Sequence, residues 1–318
     1  MTLFVFIDGA EGTTGLEIRD RLADRPEFVL QTLPDDVRKD DAARRDALNA
    51  CDIAILCLPD DAARDAVAMI DPEGETRIID ASSAHRVTPD WTYGFPELVG
   101  QETVAGAMRV SNPGCYPTGF IALIAPLIRA GLLPAEWPYT VHAVSGYSGG
   151  GKSLIDRFER GEPDLAFRAY GFDLAHKHGP EMKHHAGLCH GVVFSPSVGR
   201  AYRGMIVEVP LHLGAIDRNL KPEQLRMTLT EFYRESPVVK VAAAPDPAEM
   251  LLTDGVEPDD GMTLHVFANT GGYHARLVAR FDNLGKGASG AAVQNLNLMA
   301  GLPEHTGLNL PDYRASAA

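Results

Sequence analysis

Apolar residues fall into two regimes along this chain. In the first third, short unbroken runs alternate with stretches whose apolar positions recur at helical spacing. LFVFID (3–8), FVLQTL (28–33), DIAILCLP (52–59), RIIDAS (77–82) and MRVSNPG (108–114) contain the runs. An unbroken run of that length reads as a strand covered on both faces, as in a parallel sheet. Leu16, Ile18 and Leu22 after the first run, and Ala62, Ala66 and Ile70 after the third, place helices between them. Repeated strand and helix alternation predicts a doubly wound α/β sheet, a Rossmann-like nucleotide domain whose ligands lie past the carboxyl ends of the strands.

From residue 115 onward the pattern changes. GFIALIAPLIRAGLL (119–133) reads as a buried helix, kinked or ended at Pro126. TVHAVSGYSGGGKS (140–153) carries four glycines in SGYSGGGK, which predicts a loop where backbone approaches a ligand. HGVVFSPSVG (190–199), RGMIVEVPLHL (203–213), TLHVFANTGG (263–272) and HARLVARFD (274–282) alternate, as mixed or antiparallel strands half exposed to water do. They predict a second, α+β substrate and catalytic domain whose outer sheet face suits an oligomer interface. NLGKGASGAAVQNLNLMAGL (283–302) is a glycine-rich turn feeding a last helix, and 244–249 and 257–261 read as solvated loops.

Size and charge narrow the partners. A chain of 318 residues and 34.3 kDa is long enough for two domains. A net charge of -14 and a pI near 5.2 argue against nucleic acid or an anionic membrane as the main partner, since both are polyanions. Any anionic ligand must be met by local cations. Cys51, Cys57, Cys115 and Cys189 show no CxxC pairing, and MTLFVFIDGA enters a glycine motif without a basic region or cleavage site. No apolar segment approaches the ~20 residues that span a bilayer. A reduced, cytoplasmic protein is the expectation.

The candidate chemistry centres on SNPGCYPTG (111–119). Asn112, Pro113 and Gly114 make a tight turn, Pro117 fits the start of a helix, and Cys115 lies between them. A lone cysteine beside an apolar run is usually a small buried hydrophobe. Such a cysteine needs neither the turn nor the proline, whereas a nucleophile gains from a helix N-terminus, whose N–H groups favour a thiolate and can hold an oxyanion. GAEGTTG (9–15) follows the first strand directly and precedes a helix, the context in which Gly9, Gly12 and Gly15 let a pyrophosphate approach backbone N–H groups. After the second strand, Asp35 and Asp36 suit ribose hydroxyls while Arg38 and Lys39 suit a 2′-phosphate, so NAD and NADP both remain open there. Arg86 and Lys152 are candidate anion contacts, the first balanced by an ordinary surface arginine and the second by a flexible hairpin over SGYSGGGK. Of 11 histidines, four fall in HKHGPEMKHH (176–185) without the i, i+4 spacing of a helical zinc site, so no metal is expected.

SNPGCYPTG closely resembles the active-site signature of the N-acetyl-gamma-glutamyl-phosphate reductases. GAEGTTG (9–15), DASSAHR (80–86), YGFPE (93–97), SGYSGGGK (145–152), HKHGPEM (176–182) and NLGKGASGAAVQN (283–295) follow in that family's order, over nearly the whole chain and in the form of its shorter type. Leu123 departs from the small residue more usual there, a matter of helix packing. The resemblance implies an NADP-dependent reduction of a small-molecule acyl phosphate, N-acetyl-L-glutamyl 5-phosphate, to the semialdehyde and phosphate, in arginine biosynthesis. It implies Cys115 as nucleophile, His178 as acid/base with Glu181 to orient it, and Tyr170 close by; His176 stays an alternative to His178. Cofactor contacts fall on Gly9, Gly12, Thr13, Thr14, Gly15, Arg38, Ser82, Ser148, Gly149, Asn283 and Gln294. Substrate contacts fall on Arg86, Asn112, Ser145, Gly146 and Lys152. The domains become 1–114 with 283–318 for NADP and 115–282 for catalysis and oligomerisation, in a homo-oligomer, dimer or tetramer. Aspartate-semialdehyde dehydrogenase or another acyl-phosphate reductase shares the same chemistry. A nucleotide-binding redox sensor would need a partner thiol beside Cys115, and a cofactor-free cysteine hydrolase would leave the glycine turn without a use.

Overall fold

The computed structural model describes residues 2–161 and 164–310, which divide into two compact units, one of residues up to Gly114 with Ala288–Leu308 and one of Cys115–Gly287 with the residues from Asn309. The stretch 311–318, expected in the nucleotide domain, lies outside the described residues.

In the first unit, β1 (Leu3–Asp8), β2 (Phe28–Gln31), β3 (Ile53–Leu56), β4 (Arg77–Asp80), β5 (Thr92–Tyr93) and β6 (Arg109–Ser111) form one sheet in the order β2-β1-β3-β4-β6-β5. Every pairing is parallel. The unbroken runs are explained by two cores, one per face. Val5 and Ile7 pack with Ile18, Leu22 and Val104 on one side, while Phe6, Ala54 and Leu56 pack with Leu48 and Ala66 on the other. The helix Gly290–Met299 belongs to the first of these cores through Ala292, Val293 and Leu296, so the chain returns to this unit near its end. The helix after β3 buries Ala63 and Ala66, with Ala62 and Ile70 only partly covered, so its buried stripe is shifted from the expected one.

In the second unit, β7 (Thr140–Gly146), β8 (Phe167–Ala169), β9 (Val193–Gly199), β10 (Met205–Leu211), β11 (Val239–Val241), β12 (Met262–Ala268) and β13 (Ala275–Phe281) form a mixed sheet, β11-β12-β13-β10-β7-β9-β8. The helix Cys115–Arg129 covers one face and is apolar all round, with Tyr116 through Leu127 all buried. It lies close to the sheet because residue 119 is glycine: a Cβ there would fall 2.8 Å from Val207 and 2.9 Å from Phe281. Leu123 is fully buried in the same helix. Pro126 neither ends the helix nor removes it from the core, since the helix runs on to Arg129.

The loop expected over SGYSGGGK is much shorter than anticipated. β7 continues through Ser145 and Gly146, a single 3-10 turn covers Tyr147–Gly150, and a short helix begins at Gly151. Glycine at 146 belongs to the strand because backbone crosses it closely, a Cβ there lying 2.6 Å from the Tyr202 carbonyl oxygen.

Candidate active site

In the first unit the glycine turn joins the end of β1 to the helix Thr13–Leu22. Gly9 has φ +85°, and a Cβ there would sit 2.4 Å from the Cys57 carbonyl oxygen, so the tight turn after β1 requires glycine. A Cβ at position 15 would lie 2.5 Å from the Gly9 oxygen, whereas at position 12 the nearest atom is 3.5 Å away. Gly12 is thus not demanded by the protein's own packing. It caps a helix whose first turn holds no acidic residue and whose N-cap makes no side-chain hydrogen bond, leaving Thr13 and Thr14 and the N–H groups around them open to an anion. Beside the turn lies a cleft of about 780 Å³, its open mouth included, lined by Asp8, Gly9, Thr32, Arg38, Lys39 and Arg44. β1 lies between β2 and β3, where the strand order reverses, the place at which doubly wound sheets take a dinucleotide. These residues fit a nicotinamide dinucleotide.

Four residues expected at ligands in this unit also make hydrogen bonds within the protein. Arg86 is buried, donating from Nε to the Asn112 carbonyl at 2.9 Å and from Nη2 to the Ala81 carbonyl at 3.1 Å, so it clasps the turn that leads to Cys115. Asn112 is buried as well. Its amide donates to the Ala288 carbonyl at 2.9 Å, and its side-chain oxygen accepts from Asn295 at 3.0 Å. Ser82 donates to Asp80 at 2.8 Å, an Asp80 that also takes His85 Nδ1 at 2.6 Å. Gln294 is fully buried and donates to Glu97 at 3.1 Å and Glu304 at 2.6 Å, which makes it a clamp between carboxylates.

In the second unit Cys115 is the first residue of its helix and partly exposed. Tyr116 points into an aromatic group built by Tyr170, His176, His178 and Phe194, with ring centroids 5.9 Å from His178 and 5.1 Å from Phe194. The Tyr116 hydroxyl donates to the Ser197 carbonyl at 3.0 Å, and Tyr170 donates toward the Tyr116 oxygen at 3.5 Å. Burial first, then the neighbouring Tyr170 and Cys115, hold the Tyr116 phenol well above its ordinary 10.0, so it remains a neutral donor. The His176 and His178 rings meet edge to face at 4.7 Å. The His178 backbone N–H donates to His176 Nδ1 at 3.2 Å, which leaves the proton of a neutral His176 on Nε2. Burial, reinforced by Lys177 and opposed by Asp173, lowers His176 below 6.5. His178 and Glu181 are both buried, at the start of the helix Gly179–Ala186.

A second group in this unit gathers Ser145, Gly146, Ser148, Gly149 and Asn283. Asn283 donates to the Ser148 hydroxyl at 2.9 Å and accepts from the Gly204 N–H at 2.9 Å, and a Cβ at Gly149 would meet Ser145 at 3.2 Å and Asn283 at 3.4 Å. Lys152 is exposed on the short helix that follows. Gly287 brings the NLGKG segment against Cys115, a Cβ there lying 3.1 Å from the Cys115 Cβ. Reading the sequence missed Tyr116, Asn295 and the pair Asp8 and Arg44. For the last the signal was present: a carboxylate closing the apolar strand LFVFID needs a counter-ion.

Two family models match the chain, one described as the semialdehyde dehydrogenase NAD binding domain over residues 5–107 and one as the semialdehyde dehydrogenase dimerisation domain over residues 115–283. The fold agrees: aspartate semialdehyde dehydrogenase II from Vibrio cholerae aligns with TM-score 0.69 at 18% identity, covering 94% of this chain and 98% of that one. The Candida albicans aspartate semialdehyde dehydrogenase with NADP aligns with TM-score 0.62 at 14% identity, over 94% and 99%. The chain is therefore a two-domain protein of the semialdehyde dehydrogenase class. Within that class, N-acetyl-gamma-glutamyl-phosphate reductase of Burkholderia cenocepacia is 50% identical over 304 residues, 93% of this chain and 97% of that protein. The Brucella ovis protein of the same name is 52% identical over 305 residues, 93% and 98%. The chain belongs to the N-acetyl-gamma-glutamyl-phosphate reductase family.

Proposed function

We propose that the protein reduces N-acetyl-L-glutamyl 5-phosphate to N-acetyl-L-glutamate 5-semialdehyde and phosphate with NADPH, the arginine-biosynthetic step for which its relatives are named. The observation that carries this reading is Cys115 as the first residue of a helix of 15, beside an aromatic group that contains two histidines. At that position the Cys115 sulfur attacks the acyl carbon, N–H groups of the first turn hold the oxyanion, and phosphate leaves to give a thioester. A dinucleotide held by Gly9, Gly12, Thr13, Thr14 and Gly15 supplies hydride when bound. His178 carries the proton at the thiohemiacetal oxygen, with His176 held neutral beside it and Glu181 and Tyr170 shaping the pocket. Ser145, Gly146, Ser148, Gly149 and Asn283 form a polar floor for ligand, and Lys152 an exposed cation for phosphate.

The first unit serves as the NADP-binding domain and the second as the catalytic and oligomerisation domain of a homo-oligomer. Its four free cysteines suit the cytoplasm, and among the described residues no helix is long and apolar enough to cross a membrane.

The test is the reverse reaction. Cys115→Ser and Cys115→Ala should lose phosphate-dependent oxidation of N-acetylglutamate semialdehyde by at least about a thousandfold while still binding NADPH, measured by nicotinamide fluorescence. Retained turnover in either variant would refute the nucleophile, and wild-type preference for aspartate semialdehyde would move the substrate to the dehydrogenases of similar fold.

A further inference from the structure

We propose that Arg44, fixed by Asp8, is the cation that recognises the adenosine 2′-phosphate and sets the preference of the cleft for NADP over NAD. This rests on the dinucleotide reading of the first unit given above. β1 ends in a carboxylate immediately before the glycine turn, a position at which a bare negative charge would repel a pyrophosphate. Arg44 offsets it, donating from Nε at 3.2 Å and from Nη2 at 2.9 Å to one oxygen of Asp8. The two side chains are 11% and 5% exposed, so the pair is set into the wall of the cleft rather than out in solvent.

Both residues share that wall with Thr32 and Leu33, which directly follow β2. Past the end of β2 is where a doubly wound sheet meets the adenosine ribose. With Nε and Nη2 turned to Asp8, the guanidinium keeps its Nη1 edge for another partner. That edge makes only a long ion pair with Asp41, 75% exposed and 3.6 Å away, beyond hydrogen-bonding distance, which an incoming phosphate can replace. A planar fork whose torsions are already fixed loses little freedom on binding and matches a phosphate at two oxygens. Arg38 is held less firmly, by an acid that is 86% exposed. It is 43% exposed, sits in the turn before the helix Asp41–Ala50, and is engaged with Asp35 at 3.2 Å. A ribose bearing only hydroxyls gains nothing comparable from the free edge of Arg44.

The test reads binding directly, on the purified full chain without substrate, by calorimetric titration with adenosine 2′,5′-bisphosphate and with AMP. Wild type should bind the bisphosphate about 30-fold more tightly, the scale of one charge-assisted pair. Arg44→Met should shrink that ratio to within about threefold with AMP affinity unchanged, Arg44→Lys should restore only part of it, and Asp8→Asn should fall between, because the cation stays but is no longer held. Removing Arg44 alone leaves a buried carboxylate, so Asp8→Asn/Arg44→Met serves if the single variant does not fold, with the same collapse expected. Equal wild-type affinities, a wild-type ratio kept in these variants, or an equal loss for both ligands would overturn the assignment. Steady-state rates separate it from the functional reading: a wild type inactive on N-acetylglutamate semialdehyde removes the reaction, while the titration still judges Arg44.

Discussion

At the residue scale, what distinguishes Cys115 is its surroundings rather than its chemistry, because the chain holds three other free thiols. Burial pushes Cys51 up to about 11, and burial with the nearby Asp80 and Asp8 pushes Cys57 up to about 12, so both stay protonated at neutral pH. Cys189 is exposed and must be removed from the comparison. In a Cys189→Ser background, iodoacetamide at pH 7 should add one group per chain, at Cys115, with loss of turnover in parallel; Cys51 and Cys57 should react only after denaturation. Peptide mass spectrometry that found Cys57 modified at a similar rate would show that the nucleophile has no privileged setting. The cysteine was legible in the sequence because turn formers on one side and a helix start on the other leave few conformations for it. The hydrogen bonds that Arg86, Asn112 and Gln294 make within the protein were not. Motif membership marks these residues as constrained without showing which backbone or side-chain groups they hold, such as the Asn112 carbonyl that Arg86 bonds.

At the scale of elements, the glycine turn separates two reasons for one residue type. Gly9 is fixed by its own backbone and by the Cys57 carbonyl, so Gly9→Ala should destabilise by about 1–2 kcal/mol from the left-handed conformation and about 1–3 kcal/mol more from overpacking. A Cβ at Gly12 would make only ordinary contacts, with nothing nearer than 3.5 Å. Gly12→Ala should leave the unfolding midpoint within about 2 °C while raising KM for NADPH roughly tenfold, because the added methyl would stand at the helix start proposed to hold the pyrophosphate. An unchanged KM in Gly12→Ala would move the pyrophosphate elsewhere. The strands of the first unit were readable because both faces are buried and the apolar runs are unbroken. The short strands β5, β8 and β11 carry too few residues for any period to show, and the helix Asp41–Ala50 buries only Ala47 and Leu48. SGYSGGGK misled for a different cause: its first glycine is demanded by a neighbouring chain crossing the strand, a tertiary fact that local spacing does not carry.

At the scale of the whole molecule, an acidic chain of net charge -14 binds an anionic cofactor and an anionic substrate, so its few buried cations and its neutral histidines carry weight beyond their number. His176 is lowered by burial and Lys177, and His265 by burial, with Asp246 opposing and Arg226 and Arg280 adding to the fall. Each therefore binds its proton more weakly when folded than in the unfolded chain, where 6.5 applies. The unfolded state takes up protons first as pH falls, and stability rises with pH across that interval. Stability should be level above about pH 7.5 and should decline as pH drops through about 6.5, before the carboxylates begin to titrate. Thermal unfolding between pH 5 and 8 measures this. His176→Asn and His265→Asn should each flatten part of the decline, and the double variant most of it. A slope between pH 7 and 5.5 that survives in the double variant would assign the acid sensitivity to other groups. Because His176 sits against His178 at 4.7 Å, the same titration should also lower the reductase rate on the acid side, where a protonated His176 would oppose positive charge on His178, the proposed proton carrier.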